Sequence, residues 1–235
     1  MAGASDDMIG DPHQLAQRLF SGFERAILGL AVEGLERWRA EGFKRFNDTE
    51  NAFTAVVVGR IQNIVRERGL AFLVSREQVE DSQAVLDGAA DPARSPRIDI
   101  AIRHSDFSTE TYFIVECKRL MPGPLARAYV AEGMFRFKSG RYAGGMAAAA
   151  MIGYVMREDP QALFERVNVE VMQHNEFDQA DRLVSTEPIR TLITVYESRH
   201  VRSGTQGAIR ITHLFFDVQA RPALGSAVKR SEDRP

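Results

Sequence analysis

The chain contains one cysteine, Cys117, in 235 residues, which excludes an internal disulfide and any cysteine-rich zinc site and agrees with a reducing compartment. Lysine is nearly as scarce, with 4 residues against 26 arginines, so each lysine stands where this composition would more often place arginine. No run of 18 or more apolar residues occurs, and a membrane-spanning helix is excluded by length. The opening Met1-Ala2-Gly3-Ala4-Ser5-Asp6-Asp7 is acidic where a signal peptide would be basic and then apolar. A soluble, cytoplasmic protein is expected. Positive charge is not in excess: the net charge is −2 and the pI is near 6.2, so any attraction to nucleic acid must be local. G-x-S-x-G, Walker A and G-x-G-x-x-G are all missing, which makes an unrelated α/β hydrolase or small-molecule binder the weakest option. His13, His104, His174, His200 and His213 are scattered without metal-ligand spacing and carry no assigned role.

What is present is enough apolar material, 44% of residues, to build one substantial core, and a single domain over 1–235 is expected. The informative feature is a pair of segments, Arg97-Ile98-Asp99-Ile100-Ala101-Ile102 after Pro96, and Thr111-Tyr112-Phe113-Ile114-Val115-Glu116-Cys117-Lys118. Both are rich in β-branched and aromatic residues, and the polar stretch from His104 to Glu110 separates them as a turn would, which predicts a hairpin. Strand alternation places Ile98, Ile100 and Ile102 on one face and Asp99 on the other, and sets Glu116 and Lys118 together on a face shared with Tyr112 and Ile114. An Asp and a Glu on adjacent strands can hold a hard cation such as Mg²⁺ through oxygen. Lys118 is one of the few lysines, and the chemistry can use the distinction: an ammonium shifts its pKa and orients water, whereas a guanidinium stays protonated. Cys117 points to the opposite face, where its thiol reads as a small buried hydrophobe.

The spacing and strand context of Asp99, Glu116 and Lys118 resemble the PD-(D/E)XK nuclease superfamily, the restriction-endonuclease-like fold. Pro96 lies three residues before the first acid rather than next to it, a position that varies in that superfamily. The resemblance implies that Asp99, Glu116 and the main-chain carbonyl of Cys117 bind Mg²⁺ or Mn²⁺, and that Lys118 orients or helps deprotonate the attacking water. It further implies that Glu50, in the first turn of the preceding helix, completes a second metal position. Asn47-x-x-Glu50 also reads as a capping box, and the two roles remain open together.

Element order follows from periodicity and breakers. An N-terminal helix is expected from about His13 to Arg39, with an apolar stripe of Leu15, Leu19, Phe23, Ala26, Ile27 and Leu30. A second helix is expected from Asn47 or Asp48 to Arg68, closed by Gly69. A strand over about 71–79 and a loop over 81–95 precede the hairpin. Pro122-Gly123-Pro124 opens a helix running through about Lys138, with Gly140 as its stop. The apolar run Met146 to Met156 is taken as a strand although four consecutive alanines favour helix; the resemblance decides it. A helix over about 160–175 and strands over about 190–197 and 209–218 follow, with a polar tail over 221–235. The expected class is therefore α/β: a restriction-endonuclease-like core over about 47–156 of helix, three strands, helix and strand, with a mixed sheet flanked by helices. An N-terminal helix precedes this core, and a helix plus two strands extend it over about 157–220.

From Lys118 to Arg141 six basic residues face one acid, Glu132, a local balance of +5. Arg136, Lys138 and Arg141 are the candidate phosphate contacts on this helix, although an ordinary charged helix face has the same composition. The expected function is Mg²⁺-dependent endonuclease cleavage of nucleic acid, DNA by the resemblance, in defence against foreign DNA by family analogy alone. The alternative is a catalytically inactive subunit of the same fold that binds nucleic acid or assembles with a partner. No helix-turn-helix or zinc finger is evident, so targeting would come from a dimer mate or another protein.

Overall fold

The computed structural model describes residues 12–44, 47–79, 97–105, 112–143, 146–187, 189, 193–202 and 207–219. The loop expected over 81–95, Pro96 and the tail over 221–235 lie outside the described residues. The protein is α/β, with a mixed seven-stranded sheet in the order β1-β2-β3-β4-β7-β6-β5. The strands are β1 (Phe72–Val79), β2 (Arg97–His104), β3 (Tyr112–Leu120), β4 (Ala148–Val155), β5 (Val184–Ser185), β6 (Thr194–Val201) and β7 (Ala208–Asp217). β1, β2 and β3 form an antiparallel meander, whereas β3, β4 and β7 are parallel neighbours. Parallel strands need a crossover, and the expected order of helix, three strands, helix and strand supplies it between β3 and β4.

Side-chain alternation splits the core into two layers. Phe113, Val115 and Cys117 of β3, with Ala148, Ala150, Ile152 and Tyr154 of β4, pack on one face against α1 (Pro12–Ala40) and α2 (Glu50–Glu67). Tyr112, Ile114 and Leu120, with Ala149, Met151 and Val155, face the helix after β3 and α4 (Pro160–Gln173). Every residue of β4 is buried, and that burial, with six residues in register with β3 and eight with β7, overrides the helix propensity of its alanines. Trp38, fully buried, ties α1 to this layer: its ring meets Phe43, Phe53, Tyr154 and Phe216 at centroid distances of 5.4 to 6.2 Å. Its Nε1 donates to the Lys44 carbonyl at 3.1 Å.

The structure corrects several expectations. Ala26 is exposed, while Phe23, Ile27 and Leu30 of the same stripe are buried. Ile98 packs with Ala101 and Ile114, on the face opposite Ile100 and Ile102; β1 pairs with Ile100 and Ile98 but not with Asp99 between them, where Glu77 takes φ 52°, so the alternation of β2 breaks there. The strand expected over 190–197 is β6, shifted to Thr194–Val201 by its pairing with β7. Two-residue β5 was not anticipated, being too short and too exposed for any alternation to mark.

The helix after β3, α3, begins as Pro124–Ala128, widens into a π-helical stretch over Tyr129–Met134 and ends as Phe135–Lys138. Gly140, at φ 73°, follows as the stop. A π turn shifts the phase of whatever follows it, here the turn that carries Arg136. Gly133 lets this stretch approach the sheet: a Cβ there would come within 2.3 Å of Met151 Cε.

Candidate active site

The end of the β2–β3 hairpin and the first turn of α2 meet at one point. Where the ladder stops, the Asp99 side chain takes over its work: Oδ2 accepts the Cys117 N–H at 2.7 Å, which fixes the carboxylate beside β3. One strand over, Glu116 is wholly buried and Lys118 nearly so, on the α3 face of the sheet. Glu50 arrives from α2. The helix is capped by Thr49, whose hydroxyl accepts from Ala52 N at 3.3 Å, while Asn47 Oδ1 accepts from Thr49 N and Oγ1. The expected Asn47–Glu50 capping box is therefore absent, because Thr49 occupies the cap and Glu50 follows it directly. Glu50 is left to accept from Lys118 Nζ at 3.1 Å and from Arg119 N at 3.0 Å.

Four oxygens surround one ammonium. Lys118 Nζ lies 2.8 Å from Glu116 Oε1, 3.1 Å from Glu50 Oε1, 3.1 Å from the Cys117 carbonyl and 3.9 Å from Asp99 Oδ2. Burial pushes the Glu116 carboxyl up to about 7, helped by the charge of Asp99 and opposed by Lys118 and Arg136. Asp99 is raised for the same first reason, against the pull of Lys118 and the Cys117 N–H. Burial alone would strip the proton from Lys118, but the charges of Glu116, Asp99 and Glu50 outweigh it and hold the ammonium charged.

The donor set suits a hard cation. The two carboxylates of Asp99 and Glu116 and the Cys117 carbonyl converge on a positive atom, so the ammonium of Lys118 stands in for a cation. Glu116 Oε2 is buried with no hydrogen-bond partner among the described residues, an acceptor left over for another ligand. Among the described residues no group of three or more His, Cys, Asp or Glu side chains is arranged to hold a metal ion. Mg²⁺ does not require one, since it is commonly held by one or two carboxylates, with water and substrate phosphate completing the shell.

Cys117 contributes only main chain here. Its thiol is fully buried on the other face, and burial raises its pKa well above the ordinary thiol value, the opposite of an activated nucleophile. Cys117→Ala is expected to fold and to lose about 1 kcal/mol of stability. Urea unfolding measures this, and a Cys117→Ala that loses several kcal/mol would contradict a thiol that only packs.

The three cations expected to contact phosphate do not share one environment. Arg136 reaches into the site, donating from Nη1 to Glu116 Oε1 at 2.7 Å and to Tyr142 Oη at 3.1 Å. Lys138 is paired with Asp181 and lies over the Phe177 ring. Arg141 is exposed. Nothing in the sequence marks the Arg136–Glu116 pair, nor Tyr142, whose hydroxyl donates to the Arg97 carbonyl. Twenty residues separate Arg136 from Glu116, and the π stretch shifts the phase of the turn that carries Arg136.

Two of the histidines prove structural. Asp181 Oδ1 meets His200 Nδ1 at 2.6 Å, Ser198 Oγ lies 2.7 Å from His200 Nε2 and 2.8 Å from His213 Nε2, and His213 Nδ1 meets Tyr129 Oη at 2.9 Å. All five residues are buried, so the chain fastens β6 and β7 to the π stretch of α3 and is not open to a substrate. The alternation Ser198-x-His200 on β6 was the available signal.

Burial opposes the Asp181 charge, but hydrogen bonds from His200, Lys138 and the Asp178 N–H outweigh it and hold the carboxyl at about 2. An acid whose folded pKa is depressed gives stability that is present above the unfolded value and lost as pH falls toward the folded one. Asp181→Asn cannot titrate, so the difference between it and wild type over pH 4 to 2 reports Asp181 alone. Wild type is expected to lose roughly 1–2 kcal/mol more than Asp181→Asn over that window. Parallel loss in urea titrations of the two proteins would contradict it.

The fold and site together define an α/β protein with a buried carboxylate–lysine centre at the end of a hairpin. In comparisons with known proteins, no family model, no curated protein and no solved structure matches this chain.

Proposed function

We propose that the protein is a metal-dependent nuclease of the PD-(D/E)XK kind that hydrolyses phosphodiester bonds of DNA, with defence against foreign DNA as its setting. The observation that carries this reading is the convergence of Asp99, Glu116, Glu50 and the Cys117 carbonyl on Lys118 at 2.8 to 3.9 Å. Solvated cross-strand pairs would leave these groups wet, whereas Glu116 is wholly buried.

Asp99, Glu116 and the Cys117 carbonyl would hold Mg²⁺ or Mn²⁺. When bound, such a cation stabilises the charge gathering on phosphorus and on the leaving oxygen and makes water a better nucleophile. Lys118 would orient the attacking water or help deprotonate it, and stabilise negative charge by hydrogen bonding. Glu50 aligns Lys118 and is the candidate ligand for a second cation. Arg136 and Arg141 would meet the phosphate backbone; Lys138 would have to leave Asp181 to join them. The protein would act on DNA alone, as a homodimer or with a targeting partner. Among the described residues no helix is long and apolar enough to cross a membrane.

Purified protein incubated with duplex DNA is expected to cleave it in Mg²⁺ or Mn²⁺ and to stop when the metal is chelated with EDTA. RNA of matching sequence reports the preference between the two. Cleavage that persists in EDTA would contradict the reading.

A further inference from the structure

The Arg136–Glu116 pair joins a candidate phosphate contact to a candidate metal ligand. Glu116 Oε1 receives two cations at once, Lys118 Nζ at 2.8 Å and Arg136 Nη1 at 2.7 Å, while Oε2 receives nothing among the described residues. A buried carboxylate needs such compensation. A divalent cation arriving on the same carboxylate makes one of the two redundant and repels it.

Lys118 is enclosed, with its side chain 10% exposed, whereas the Arg136 side chain is 30% exposed. Arg136 also has a second anchor that does not depend on Glu116. Its guanidinium lies 5.3 Å from the Tyr142 ring centroid and donates to Tyr142 Oη, which is itself fixed by donating to the Arg97 carbonyl. Both of its hydrogen bonds leave through Nη1, so among the described residues Nη2 and Nε have no acceptor. A planar fork with spare donors beside a carboxylate centre matches the oxygens of a phosphate.

We propose that Arg136 is an exchangeable counter-ion: it holds Glu116 in the metal-free protein, yields that carboxylate when a divalent cation binds, and then contacts a phosphate of the DNA strand. This rests on the nuclease reading above. It makes binding of metal and of DNA mutually supporting, because the metal frees a cation for the substrate and the phosphate keeps that cation away from Glu116. Tyr142 keeps the guanidinium at the site during the exchange.

Two binding measurements without turnover test it. In calorimetric titrations with Mn²⁺ alone, Arg136→Gln is expected to bind the metal about threefold to tenfold more tightly than wild type, because the competitor for Glu116 is gone. In anisotropy titrations of a labelled DNA duplex across a salt series, Arg136→Gln and wild type are expected to show the same log-log slope without metal. With Ca²⁺ present and the duplex checked for integrity, the slope of Arg136→Gln is expected to be smaller by about 0.9, one phosphate contact. Arg136→Met, also uncharged, repeats both measurements should the glutamine variant fold poorly. A slope difference of the same size with and without Ca²⁺, or none in either condition, overturns the exchange. Wild type that binds Mn²⁺ and DNA while the variants match it in both overturns the exchange alone. Wild type that binds neither overturns the nuclease reading and the exchange with it.

Discussion

Glu116→Gln is expected to lower Mg²⁺-dependent cleavage by about three orders of magnitude or more with the fold retained, and Asp99→Asn to do the same. Both acids belong to one unit with Lys118, and removal of one member of such a unit costs nearly as much as removal of all. The amide keeps the shape of the buried side chain and can still accept from Lys118 and Arg136, so circular dichroism and the unfolding midpoint should change little. What it loses is the negative charge that a hard cation needs. Cleavage within tenfold of wild type by either folded variant would mean that the hairpin acids do not carry the chemistry.

Lys118→Met is expected to cost about 3 kcal/mol in metal-free buffer, because it leaves Glu116, Asp99 and Glu50 facing one another without the ammonium that now neutralises them. The same variant should regain much of that loss in Mn²⁺. A ligand that binds only the folded state adds about 2.7 kcal/mol at one hundred times its dissociation constant, and the emptied position is ringed by oxygens. Activity should not return, since the donor that orients water is missing. Arg127→Met is the control: that side chain is 75% exposed and its nearest acid, Glu170, is 3.5 Å away, so it should change stability by less than about 0.5 kcal/mol. Chemical denaturation with and without Mn²⁺ measures all of this. Lys118→Met as stable as wild type would show that the carboxylates are held apart by something other than the ammonium.

Much of the fold was legible because its signals are local. The run Phe113-Ile114-Val115 with Glu116 and Lys118 two apart reads as a strand with one polar end, and β3 is that strand. Gly69 and Gly140 marked helix ends, and both have positive φ. β4 was legible only with the resemblance, since its alanines argue the other way and burial between two strands decides the outcome.

What escaped the sequence depends on tertiary contact. The alternation of β2 breaks between Ile98 and Ile100, opposite the positive φ of Glu77 in β1, and β6 starts four residues later than expected because its register is set by β7. The π turn in α3 leaves no mark in a 3.6-residue period, yet it sets the phase at which Arg136 meets Glu116. Asp99, Glu116, Lys118 and Glu50 were singled out from the sequence and the structure brings them together. Arg136, Lys138 and Arg141 were grouped by charge alone, and charge does not reveal that Arg136 and Lys138 already have acidic partners.

The most direct measurement is a crystal soaked in Mn²⁺, with anomalous scattering used to locate the metal. The expected result is a peak within bonding distance of Asp99, Glu116 and the Cys117 carbonyl, with the Arg136 guanidinium withdrawn from Glu116. No peak at saturating Mn²⁺, with Asp99 and Glu116 still gathered on Lys118, would contradict a metal-dependent nuclease.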